Sequence, residues 1–236
     1  MKRTLLALLA VVTLNGSAQA TTYTFEYTAV VNHITLTPIP WNVPTDVAST
    51  SLDGGVVSLG DVVKGVLVYD SDMTITATES FETDAFHKAT FVHYNADHMQ
   101  LSGKFEAANV GFAVEQHLAS YGGQVSYPHD WTDAQDYFFI GGSSSTDNNR
   151  VMDSMSITYS DTHARLDLAH APGSEATSFN NNQFSFMRST NTGSIGITSD
   201  LTSLRLISAV PEPETYAMLL AGLALLAWRR RTRSDV

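Results

Sequence analysis

Tyr127, Asp130, Trp131, Asp133, Asp136 and Tyr137 bring aromatic rings and carboxylates into one short stretch, Tyr127-Pro128-His129-Asp130-Trp131-Thr132-Asp133-Ala134-Gln135-Asp136-Tyr137. Two kinds of ligand suit that mixture. The faces of Tyr127, Trp131 and Tyr137 can stack on a sugar ring while Asp130 and Asp133 accept hydrogen bonds from its hydroxyls. The same aspartates offer the oxygen ligands that calcium takes, but their spacing is not that of an EF-hand loop. A loop that folds its rings onto a sheet is the plainer use of these residues. Glycoside hydrolysis needs two carboxyl groups at a set separation, and a chain this rich in acids supplies pairs everywhere. Their presence alone marks no catalytic dyad.

The eight histidines are the other chemically able group. His87, His93 and His98 lie closest together in the sequence. On one uninterrupted strand His87 and His93 share a face yet stand about 20 Å apart, too far to chelate one ion. His98 falls beyond the turn signalled by Asn95-Ala96-Asp97. Solvent-facing strand histidines with no metal are the expectation. The chain has no cysteine, which removes thiol nucleophiles and thiolate metal sites. It also lacks a His-Glu-x-x-His helix, a Gly-x-Ser-x-Gly elbow and a phosphate loop. The residues point to a protein that is not an enzyme and uses no cofactor, calcium being the one ion its acidic loop suits. The competing reading is an exported hydrolase of matrix glycans, with carboxylates between Asp130 and Asp136.

Strands must carry these residues. Tyr23, Phe25, Tyr27, Ala29 and Val31 alternate with Thr22, Thr24, Glu26, Thr28 and Val30, the period of a half-buried strand. Similar runs lie at 62–69, 73–78, 89–94, 99–105, 110–114, 137–140, 155–159, 165–169 and 201–207, punctuated by Asp53-Gly54-Gly55, Gly122-Gly123, Gly141-Gly142-Ser143 and Asn180-Asn181-Asn182. Residues 43–55 and 141–149 read as loops, 171–194 as a long polar loop, and 107–121 as a strand or a short helix. About ten short strands with little helical pattern predict an all-β body, an antiparallel sandwich or jelly roll.

Both ends differ from this body. Lys2 and Arg3, the apolar stretch Leu5 to Leu14 and the small residues Ala18-Gln19-Ala20 have the layout of a secretory signal peptide. Signal peptidase would cut after Ala20 and leave Thr21 first. At the other end Val210-Pro211-Glu212-Pro213-Glu214-Thr215 precedes an apolar run from Ala217 to Trp228, and then come Arg229, Arg230, Arg231 and Arg233. Pro211 and Pro213 lack amide donors and favour an extended chain. The apolar run is about 20 Å long as a helix against a bilayer core of about 30 Å. It has no polar face, Trp228 sits where an interfacial aromatic belongs, and the arginines form a cytoplasmic stop.

This tail resembles the PEP-CTERM sorting signal. Val210, Pro211, Glu212, Pro213 and Thr215 match its motif, Gly222 and Leu223 its mid-helix Gly-Leu, and Arg229 to Arg231 its basic end. Glu214 departs from the small residue usual there. Weaker likeness extends to Val63-Lys64-Gly65-Val66-Leu67-Val68-Tyr69-Asp70-Ser71, a strand and turn like those in the bodies of such proteins. The resemblance implies recognition and cleavage by an exosortase, an integral-membrane cysteine protease-transpeptidase. It also implies a Gram-negative host that secretes exopolysaccharide, and a place for the product in the biofilm matrix. The chain then divides into a signal peptide (1–20), an exported β-rich domain (21–209) and a sorting signal with a short hydrophobic helix (210–236). The middle part holds seven Lys or Arg against 21 Asp or Glu, a net charge of −14. That charge keeps the body soluble and excludes nucleic acid as a partner. The expected partners are signal peptidase, exosortase, the membrane before processing, and exopolysaccharide.

Overall fold

The alternation of apolar and polar residues has one physical outlet, a sheet with a buried face. A computed structural model describes residues 21–39, 43–71, 73–84, 87–96, 99–114, 116–126, 136–146, 150–161, 176–177, 181–211 and 222–223. Its strands are β1 (Thr21–Pro38), β2 (Thr45–Asp46), β3 (Ser49–Leu52), β4 (Gly55–Ser58), β5 (Val62–Asp70), β6 (Ile75–Asp84) and β7 (His87–Tyr94). There follow β8 (Gln100–Phe105), β9 (Val110–Ala113), β10 (Gln116–Ser126), β11 (Asp136–Thr146), β12 (Val151–Asp161), β13 (Asn181–Thr190) and β14 (Gly193–Pro211). One antiparallel sheet runs β6-β7-β10-β11-β12-β13-β14-β1-β5-β8-β9, with β2 beside β1, and β3 and β4 form a separate hairpin. The predicted all-β, antiparallel body is what the chain forms. Of the predicted C-terminal helix only Gly222 and Leu223 fall among the described residues, both helical.

The sheet curls over on itself. Strands β5 and β11 are five places apart, about 24 Å in a flat sheet, yet Tyr69 and Phe138 meet with ring centroids 5.9 Å apart. Phe105 of β8 likewise reaches Phe186 of β13 at 5.6 Å, and Phe112 of β9 stacks on Phe184 at 5.4 Å. The core is therefore the inner face of a folded sheet, sandwich-like, with β5, β8 and β9 opposite β11, β12 and β13. Register shifts in β1 at Thr24/Phe25, Thr28/Ala29 and Val31/His33 supply local bend and twist along the strand that joins the two halves.

Gly65, from the strand-and-turn run, is explained by packing. Tyr27 on β1, Gly65 on β5 and Gly103 on β8 lie in register, and the Tyr27 ring covers both glycines. A Cβ at Gly65 would strike the Ser102 carbonyl and the Tyr27 ring. The Tyr27 hydroxyl donates to that same Ser102 carbonyl oxygen at 3.1 Å. Burial pushes the Tyr27 and Tyr159 phenols well above their ordinary range.

Several loop expectations give way to strands. Within 43–55 the chain forms β2, β3 and the start of β4. Asp53 and Gly54, both at positive φ (46° and 82°), make the two-residue turn between β3 and β4. The 141–149 loop is shortened by β11, which runs to Thr146, and 171–194 contains β13, where Phe184 and Phe186 are buried. The segment 107–121 is a turn followed by β9 and β10 rather than a helix.

Candidate functional site

The first and last strands of the body are partners. β1 has 18 residues and β14 has 19, and they pair antiparallel from Thr21↔Pro211 to Pro38↔Gly193. The pairs nearest the tail are Thr21↔Pro211, Thr22↔Val210, Tyr23↔Ala209 and Thr24↔Ser208. On its other side β1 is held by β5. The Thr21 amide donates to Ser71 Oγ at 3.1 Å, the Ser71 amide donates to the Thr21 carbonyl at 3.0 Å, and Thr22 Oγ1 donates to Asp70 Oδ1 at 2.7 Å. Arg205 of β14 and Glu26 of β1 add a surface ion pair. Tyr69 is fully buried, while Asp70 secures the start of β1. Val210 keeps its backbone in the ladder while the residue is half exposed (50%).

Some 55 Å away along β1, the opposite end of this ladder carries the densest charge cluster among the described residues. Arg188 of β13 lies over the Phe186 ring and binds Asp153 of β12 through Nε and Nη2, both at 2.6 Å. Its Nη1 and Nη2 reach Asp53 in the β3–β4 turn at 2.5 and 3.0 Å. The bonds to Asp153 hold the guanidinium charged more strongly than usual, against a smaller opposing effect of burial, with Asp53 adding to the gain. This cluster pins the hairpin to the sheet, with Leu52 and Val57 buried beneath it. Two open clefts flank Arg188. One, of about 480 Å³, is lined by Leu36, Pro38, Val47 and Ile195 together with Thr37, Thr45, Thr190 and Thr192, and the Thr190 and Thr192 hydroxyls bond each other at 2.9 Å. The other, of about 500 Å³, lies between Asp53, Phe112, Ser144 and Asp153.

The residues predicted to do chemistry fare unevenly. Tyr127, Asp130, Trp131 and Asp133 lie outside the described residues, and Asp136 and Tyr137 open β11 opposite Asp161 and Ser160 of β12. His87 and His93 sit six residues apart on β7, opposite Ser126 and Ser120 of β10; His98 lies outside the described residues. Ala18 and Ala20 also lie outside, but Thr21 is the first residue of β1. In the tail, Val210 and Pro211 end β14, whereas Glu212, Pro213, Thr215, Trp228, Arg229, Arg230 and Arg231 are outside the described residues. Sequence reasoning missed Arg188, Asp53 and Asp153, which are far apart in the chain. Asp53-Gly54 between two short polar-apolar runs was the available signal for the hairpin that brings Asp53 in.

Compared with known families, residues 209–233 match the model of the PEP-CTERM protein-sorting motif. The chain carries a PEP-CTERM protein-sorting motif. The match covers the end of β14 and the tail, and not the rest of the sheet. No curated protein and no solved structure matches the chain. The motif indicates an exported protein targeted to an exosortase through a membrane-anchored stage. Among the described residues no helix is long and apolar enough to cross a membrane, and the apolar run 217–228 lies outside them apart from Gly222 and Leu223.

Proposed function

We propose that the PEP-CTERM body is a non-enzymatic structural or glycan-contacting module of an exopolysaccharide matrix, delivered by a signal peptide cut after Ala20 and left at the cell surface or in the matrix of a Gram-negative host. The observation that carries this reading is the continuity of the sorting motif with β14. The tether leaves one end of the sheet, so the clefts beside Arg188 lie at the end that points away from the membrane. Apolar walls interspersed with threonines suit a sugar's mixture of ring faces and hydroxyls. The aromatic and acidic stretch from Tyr127 to Tyr137 is the second contact surface, with exopolysaccharide the expected ligand of both.

Co-sedimentation of the purified mature protein with the host's own exopolysaccharide tests this. Retention that is lost on replacing Thr190 and Thr192 by valine, or Trp131 by alanine, supports the reading. No retention, with all protein recovered from the medium, overturns the matrix role and leaves only the sorting.

A further inference from the structure

We infer that Lys104, Lys64, Thr28 and Ser203, side by side on the outer face of the sheet, form a binding row for the carboxylate groups of an acidic polysaccharide. The inference rests on the matrix reading of the body. It adds the charge class of the glycan and a contact surface separate from the clefts beside Arg188.

The two lysines stand opposite each other. Lys64 of β5 is in register with Lys104 of β8 and, on its other side, with Thr28 of β1, which is in register with Ser203 of β14. Directly paired residues of an antiparallel sheet share a face, about 5 Å apart. Val63, Phe105 and Ala29, the adjoining residues of the three strands, are fully buried, so the row points outward. Lys64 and Ser203 are exposed, Lys104 and Thr28 half-buried.

Like charges set directly opposite weaken a sheet. The body has 21 Asp or Glu for seven Lys or Arg, so acids that could neutralise the lysines are plentiful. Yet among the described residues neither lysine makes an ion pair or a side-chain hydrogen bond. Glu26, diagonal to Lys64, is bound to Arg205 instead. Glu106 follows Lys104 by two residues, and its amide donates to the Val62 carbonyl. Two neighbouring ammonium groups without an internal partner are left for a carboxylate from outside.

The flanks of the row select the ligand. β1 and β8 both run antiparallel to β5, so Glu26 lies on one side of the row and Glu106 on the other, each about 7 Å away along its strand. A flat anionic membrane would meet both of these acids. A single glycan chain fits between them and crosses the four strands, about 14 Å from Lys104 to Ser203. Its acid groups meet the lysines and its hydroxyls meet Thr28 and Ser203. Salt screens charges more than about 8 Å away, so at physiological ionic strength the net charge of the body does not cancel the local attraction.

The test is thermophoresis of the protein recovered from its host, titrated with polygalacturonate or with neutral dextran. It is run on wild type, Lys64→Gln, Lys104→Gln, the double glutamine variant and the charge-conserving Lys64→Arg/Lys104→Arg. Polygalacturonate should bind wild type and the arginine variant, and dextran neither. Each single glutamine variant should bind about threefold more weakly and the double about tenfold. The glutamine variants should melt at or above the wild-type temperature, because opposed charges are removed. Wild type that fails to bind polygalacturonate, a double variant that binds it equally well, or a double variant that melts well below wild type overturns the inference. Binding to phosphatidylglycerol vesicles but not to polygalacturonate also overturns it and assigns the row to a membrane surface. Co-sedimentation with the host's exopolysaccharide separates the row from the matrix reading. Retention kept by the double glutamine variant and lost by Thr190→Val/Thr192→Val overturns the inference alone. No retention of wild type, with polygalacturonate binding that still depends on the lysines, supports the row and overturns the matrix role.

Discussion

Arg188 allows a graded test of what fastens the β3–β4 hairpin. Its side chain is 15% exposed, that of Asp153 20% and that of Asp53 54%. Both carboxylates bind the same guanidinium at similar distances, so geometry alone would rank them equal. Solvent separates them. A partner removed from a buried pair costs about 3–5 kcal/mol, because the other charge is left without compensation. An exposed pair contributes about 0–1 kcal/mol. Arg188→Met, which keeps most of the apolar stem, should cost about 3 kcal/mol, the low end of the buried range because neither Asp153 nor Arg188 is fully dry. Asp153→Asn should cost about 2 kcal/mol, since the amide oxygen can still accept one hydrogen bond. Asp53→Asn should cost less than about 1 kcal/mol. Urea unfolding followed by tryptophan fluorescence reads these as shifts of midpoint at constant slope, and in thermal melts each kcal/mol is about 2–4 °C for a domain of this size. Added salt should weaken the Asp53 effect and leave that of Asp153 nearly intact. Equal losses for the two asparagine variants, or a loss below about 1 kcal/mol for Arg188→Met, would refute the assignment of Asp153 as the buried partner.

Other consequences can be measured on the same protein. Gly65→Ala drives a Cβ into the Ser102 backbone carbonyl and should destabilise by about 3 kcal/mol; Gly103→Ala meets only the Tyr27 and Phe112 side chains and should cost less, about 1–2 kcal/mol by urea unfolding. Burial holds the Tyr27 and Tyr159 phenols protonated in the fold while the unfolded chain ionises near pH 10. Their contribution is thus complete below about pH 10 and is lost above it, by about 1.4 kcal/mol per pH unit for each tyrosine. Tyr27→Phe should remove one tyrosine's share of that alkaline slope, and an unchanged slope in urea melts at rising pH would contradict the argument. Replacing Pro211, Glu212 and Pro213 with alanine should leave export intact and make the full-length form accumulate in the membrane, as blots of membrane and medium would show. Trimming that persists in this variant would mean that another feature directs cleavage.

Local chemistry made much of the architecture legible. From Tyr23 to Val31 the odd members are apolar, and of these Phe25, Tyr27, Ala29 and Val31 are buried while Tyr23 is half-buried. Misreadings arose where a strand carries turn residues. Gly122 and Gly123 look like punctuation, yet they lie within β10, opposite Phe91 and Thr90 on one side and Tyr137 and Asp136 on the other. Phe184 and Phe186 alternate correctly, but the asparagines before them disguised β13 as part of a polar loop. Asp53-Gly54 looks like a break in a loop, although an Asp-Gly pair is also the preferred turn of a tight hairpin.

What the sequence by itself determined is the strand content and the address. Both are written in neighbouring residues: period-two alternation commits a segment to a sheet, and a proline-rich motif, an apolar run and arginines in that order form a sorting signal wherever the body folds. Tertiary structure alone decided which strands are partners. Many segments share the same period, and the choice among them depends on which pairing buries all the inner faces at once. That selection set β1 against β14, brought Thr21 beside Pro211 from opposite ends of the body, and placed Arg188 between Asp153 and Asp53, residues 35 and 135 positions away.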